Sequence, residues 1–236
     1  MRKGVSSLVT PRAWALAALV LLATTFGCRA PRAVVSPMPA DLVTLEGHGS
    51  WKATLNGAAT KARFSFLLEL SGRGKIDVAA PLGGTAAEII FVGPAAYLVL
   101  SSERVYWKAS PEEVVEKFLG FRLSLADLVG LLCGRWHVSG RGFERSPDGW
   151  FFREDRLGRR VSGQRGEFHF SVLDFFPESA VPRRLNFESP LGDGGLTVLT
   201  MAFNVPVPER LFSLEFIGTH ASKTWDEVER ILRHEN

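Results

Sequence analysis

The chain has 236 residues, with 28 Lys and Arg against 25 Asp and Glu and a formal net charge of +3. Three of those cations, Arg2, Lys3 and Arg12, fall in the first 27 residues, where there is no carboxylate, so residues 28–236 carry 25 charges of each sign. A balanced surface lacks the positive field that phosphate-backbone binding relies on, which argues against nucleic acid as a partner. Some 200 residues beyond the N-terminal stretch are enough for one substantial core.

The N-terminal cations precede an apolar run, Ala13 to Phe26. That is the length of a signal-peptide core and too short to span a bilayer. The run closes on Thr25-Phe26-Gly27-Cys28, a small residue followed by Cys, which resembles the lipobox of bacterial lipoproteins, with Thr25 where Leu is usual. The resemblance implies cleavage before Cys28 and acylation of its thiol. Arg29 in place of Asp implies sorting to the outer membrane. Residues 1–27 are thus read as a lipoprotein signal and 28–41, with Pro31, Pro37 and Pro39, as an extended linker. Residues 42–236 are the folded domain. The second cysteine, Cys133, lies in the apolar run from Leu128 and reads as a small buried residue rather than a nucleophile.

Strand signals open the domain. Trp51, Ala53 and Leu55 alternate with Lys52, Thr54 and Asn56, and Ala62, Phe64, Phe66, Leu68 and Leu70 fall on one face with Arg63, Ser65 and Glu69 on the other; a period of two marks half-buried antiparallel strands. Ser71-Gly72-Arg73-Gly74 turns the chain into a strand at Lys75 to Ala80, and strands at Glu88 to Val92 and Tyr97 to Leu100 meet at Gly93-Pro94. The spacing then changes. Ser110-Pro111-Glu112-Glu113 predicts a capped helix ending at Gly120, and Ser124 with Asp127 predicts a second, ending at Gly134. Further strands are expected at Trp150 to Arg153, Glu167 to Leu173, Arg184 to Glu188, Leu196 to Phe203 and Leu211 to Phe216. The intervening turns are Ser146-Pro147-Asp148-Gly149 and Gly192-Asp193-Gly194-Gly195, and Arg153 to Arg160 reads as a solvated loop. Thr224 and Glu227 predict a C-terminal helix whose face of Trp225, Val228, Ile231 and Leu232 docks on the body.

Mainly β with short helices is therefore the expected class. A curved sheet is the surface that two helices with wide apolar faces would cover. Such a half-barrel either fills its interior or leaves a cavity for an acyl chain. The candidate lining of that cavity is Phe64, Phe66, Leu68, Ile89, Phe91, Phe118 and Leu128. The five histidines are scattered, and no zinc-protease, paired-cysteine or nucleophile-elbow motif occurs, so no cofactor, metal site or enzymatic activity is expected.

Ala80-Pro81-Leu82-Gly83-Gly84-Thr85, Val105-Tyr106-Trp107 before the first helix cap, Gly120 to Leu128, and Leu132-Cys133-Gly134 form an ordered series. Together, from Ile76 to Gly134, they resemble LolB, the outer-membrane receptor that takes lipoproteins from a periplasmic carrier. The resemblance implies an open antiparallel β half-barrel with helices across its mouth, in a monomeric lipoprotein on the periplasmic face of the outer membrane. Its implied partners are a LolA-like carrier, acylated lipoprotein cargo and outer-membrane lipid. It also gives the turn Pro81, Leu82, Gly83 a role in contacting the membrane through Leu82. A LolA/LolB-fold lipoprotein carrying another lipid or glycolipid, and a ligand-free structural envelope protein, are the alternatives.

Overall fold

Alternation in the sequence becomes a single sheet. The structure is a computed structural model that describes residues 34–55, 57–80, 84–136 and 149–234; Cys28, the turn Pro81–Gly83 and the expected turn from Ser146 to Asp148 lie outside them. In chain order come β1 (Val34–Val35), β2 (Thr44–Leu55), β3 (Ala58–Glu69), β4 (Arg73–Ala79), β5 (Thr85–Val92), β6 (Ala95–Leu100) and β7 (Val105–Ala109). Helices α1 (Pro111–Leu119) and α2 (Leu125–Cys133) follow. Then come β8 (Phe151–Glu154), β9 (Arg160–Arg165), β10 (Phe168–Phe175), β11 (Pro182–Ser189), β12 (Gly192–Phe203), β13 (Ala221–Ser222) and α3 (Trp225–His234).

From β2 to β7 each strand pairs antiparallel with the next, and so do β8 to β12; β12 then pairs with β2, joining the two runs. The order is β13-β7-β6-β5-β4-β3-β2-β12-β11-β10-β9-β8. Its two end strands do not pair with each other, so the sheet is open. Leu98 of β6, Trp107 of β7 and Phe170 of β10 nevertheless share one core cluster with Val114 of α1 and Leu128 of α2. The sheet therefore curls around the helices, an open antiparallel half-barrel with its mouth covered.

The helix caps explain where the covering elements start and stop. Ser110 accepts the Glu113 N–H, Pro111 occupies the first turn, and Gly120 ends α1 at φ +80°, a conformation a side chain would resist. In α2 the capping box is complete, with Ser124 and Asp127 exchanging hydrogen bonds. Every residue of α2 from Asp127 to Cys133 is buried. A helix apolar on all sides belongs inside, and α2 lies in the trough of the sheet.

Several expectations change. Val34 and Val35, within the stretch read as linker, pair in parallel with Thr200 and Met201, and Arg135 donates to the Ala40 carbonyl; the segment is docked from Val34 onward. Gly192 to Gly195 is the first part of β12 rather than a turn, because Gly194 must lie bare opposite Phe187. The charged run contributes both strand and turn. Asp155 accepts from the Leu157 and Arg159 N–H groups and closes a tight turn between β8 and β9. Leu211 to Phe216 does not form a strand. Two 3-10 turns, Glu209–Phe212 and Glu215–Gly218, take its place, closed by local bonds such as Ser213 N–H to Arg210 and Thr219 N–H to Phe216. They set Phe216 edge-on against Tyr97 and Tyr106 at 5.7 and 5.4 Å, covering the outer face of β5 to β7.

Candidate ligand cavity

Glycines determine how the inner face is built. Five inward-facing phenylalanines sit directly across from a glycine of the neighbouring strand: Phe66 from Gly47, Phe64 from Gly49, Phe91 from Gly74, Phe170 from Gly163 and Phe187 from Gly194. A Cβ at Gly49 would lie 2.6 Å from Phe64 Cζ. With no side chain beneath them, the rings can lie over the backbone instead of standing up into the trough. Space remains between the rings and α2.

That space is an apolar cavity of about 80 Å³, whose lining is entirely aliphatic or aromatic. β2 to β5 supply Trp51, Phe64, Phe66, Ile76, Val78 and Ile89, and the helix layer supplies Val115, Phe121, Leu128, Leu131 and Leu132. Phe168, Phe170, Leu185, Phe187 and Leu196 close the far side. Of the residues expected from sequence, Phe64, Phe66, Ile89 and Leu128 line it. Leu68 and Phe91 are fully buried beside it without lining it, and the Phe118 side chain lies outside the described set. The lining from β10 and β11 went unnoticed in the sequence, although Phe168/Phe170 and Leu185/Phe187 carry the same alternation that revealed β3.

α2 is latched to the sheet by Asp127. This buried carboxylate accepts from Ser124 N–H and hydroxyl at 2.9 and 2.8 Å, from Trp150 Nε1 at 2.7 Å and from Arg165 Nη1 at 2.8 Å. Arg165 also donates through Nη2 to the Arg122 carbonyl and lies 4.8 Å above the Trp150 ring. A buried charge so fully bonded is tolerated where a bare one would not be.

Outside the cavity, at the end of the sheet where β10 begins and β11 ends, lies an open groove of about 750 Å³. Its walls come from α1, the α1–α2 connection and the β11–β12 turn. Phe121 and Phe168 line both groove and cavity, with ring centroids 4.3 Å apart.

The described lining of the cavity carries no polar side chain. Burial pushes the Cys133 thiol up to about 11, so it is not a nucleophile near neutral pH. Among the described residues no three His, Cys, Asp or Glu converge as a metal site, and no helix is long and apolar enough to cross a membrane.

No family model and no curated protein matches the sequence. Solved structures do match in shape. A DUF1329 family protein from Desulfovibrio piger superimposes with a TM-score of 0.51 at 9% identity, over 74% of this chain and 91% of that one. A putative outer membrane lipoprotein-sorting protein domain from Vibrio parahaemolyticus gives 0.50 at 10% identity, over 72% and 89%. A LolA superfamily protein from Nitrosomonas europaea gives 0.49 at 13% identity, over 76% and 93%. The first two establish a shared fold, and at these identities the fold is what is shared.

Proposed function

We propose that this chain is an outer-membrane lipoprotein, acylated at Cys28, that accepts acylated lipoproteins from a LolA-like periplasmic carrier and passes them to the bilayer without chemistry. The observation that carries the reading is the wholly apolar cavity beneath α2. A water needs about 10–15 Å³ of such volume, so 80 Å³ takes roughly five methylenes, the end of one chain. At about 0.8 kcal/mol each these contribute on the order of 4 kcal/mol. Enclosing a whole acyl chain requires α1 and α2 to separate from the sheet. Release follows because the bilayer holds the chains more strongly than the cavity does.

The test is a transfer assay with the full chain in liposomes and a cargo-loaded carrier. Cargo should appear in the vesicles only when the chain is present. Leu82→Glu should keep cargo binding and lose insertion, since a carboxylate on the membrane-contacting turn resists entry into lipid. Insertion at the normal rate removes Leu82 from the mechanism, and failure to accept cargo removes the receptor reading. A second reading, a carrier of another lipid on the same scaffold, draws support from the DUF1329 family protein, which has the fold under a different family name. Mass spectrometry of co-purified ligand separates the two.

A further inference from the structure

We propose that the groove beside the cavity is the subsite for the polar end of the acyl ligand, that the tail passes between Phe121 and Phe168, and that the groove selects an uncharged or cationic head over an anionic one. This rests on the acyl-binding reading of the cavity.

Three observations lead to it. Phe121 and Phe168 face the apolar cavity on one side and the groove on the other, so the partition between solvent and interior is one aromatic pair thick. Phe121 belongs to the short connection between α1 and α2, outside both helices, while the carbonyls on either side of it, Gly120 and Arg122, accept from Ser189 and Arg165. Its ring rests on Phe168 and, at 4.8 Å, on Phe187, so a rotation about its own side-chain bonds would open the partition without breaking a helical hydrogen bond. On the solvent side, the groove has roughly nine times the volume of the cavity and is edged by the exposed Leu191. That is the form required by a ligand with a slim tail and a bulky polar end.

Charge then sets the class of head. The groove holds the carboxylates of Glu112, Glu116, Asp127 and Glu167 against the guanidiniums of Arg122 and Arg165. Arg165 is committed to Asp127, and Arg122 lies 3.9 Å from Glu116. Glu112 and Glu167 have no ion-pair partner among the described residues. Glu112 stands in the first turn of α1, where the helix dipole meets part of its charge; Glu167 has no such help. A phosphate or sulfate head would enter a negative field, whereas an amine or a sugar would not.

The experiment uses the full chain in phosphatidylcholine nanodiscs and three amphiphiles sharing one terminally brominated undecyl tail, with trimethylammonium, glucoside or sulfate heads. Bromine quenches tryptophan on contact, and Trp51 lines the cavity. At low salt, and at matched free concentrations, saturable quenching by the sulfate should need about tenfold more amphiphile than by the other two. Glu112→Gln with Glu167→Gln should narrow that gap, as should 1 M salt. Phe121→Ala should speed the onset of quenching. Equal quenching by all three heads, or a preference for sulfate, overturns the groove proposal while leaving the acyl reading intact. Absence of saturable quenching by any of them overturns the acyl reading itself.

Discussion

At the scale of single residues, Asp127 joins the cap of α2 to Arg165 of β9 and to Trp150, the residue just before β8. Asp127→Ala would strand the Trp150 N–H and the Arg165 guanidinium together, and losing hydrogen bonds to a buried charge costs about 3 kcal/mol. Chemical denaturation of the variant should show a loss of that size; a change under 0.5 kcal/mol would mean the network is surface decoration. Sequence revealed half of this arrangement. Ser124 and Asp127 announce a capping box by their spacing, but the same carboxylate's bonds to Trp150 and Arg165 cross 23 and 38 positions. Contacts of that range leave no local pattern to read.

At the scale of elements, strands were legible wherever one face is wet. β3 alternates from Ala62 to Phe66, with Arg63 and Ser65 on the other face, whereas β6 is buried from Ala96 to Leu100 because the 3-10 turns cover its outer side. The glycine-over-phenylalanine pairs depend on register, which no single strand records, and so Gly194 looked like a turn residue. Gly49→Ala tests the device: its methyl would press on both the Phe64 ring and the Thr197 carbonyl of β12, at a cost of about 1–3 kcal/mol for overpacking. Phe64 lines the cavity, so a ring pushed off Gly49 should reduce apolar-dye capacity along with the melting temperature. α3 offers a pH test. The Lys223 ammonium and the Thr224 N–H, at 2.8 and 2.9 Å, hold the Glu227 carboxyl down to about 2, from an ordinary value of 4.5. A depressed carboxyl stabilises the fold above its unfolded value, and that contribution drains away as pH falls from about 4.5 towards 2. Trp225 packs 5.0 Å from Trp107, so tryptophan fluorescence should report loosening of α3 in that window. Glu227→Gln should make the signal flat there.

At the scale of the whole molecule, the half-barrel and its covering helices followed from patterning plus the resemblance between Ile76 and Gly134. The cavity followed only in outline, because whether rings fill or frame a trough depends on packing between strands far apart in sequence. Filling it is the direct test of its purpose. Val78→Phe places a ring into the 80 Å³ space; saturable binding of an apolar dye should fall at least tenfold while thermal stability moves by about 1–3 kcal/mol at most. Retained binding would place the ligand elsewhere. The docking of β1 on β12 has its own consequence. Val34 follows Cys28 by six positions, and a fully stretched chain of that length reaches about 20 Å. If Cys28 is acylated as proposed, that tether sets the limit: β1 can stand no more than about 20 Å from its anchor, and the domain would work as a leashed body rather than a freely diffusing one.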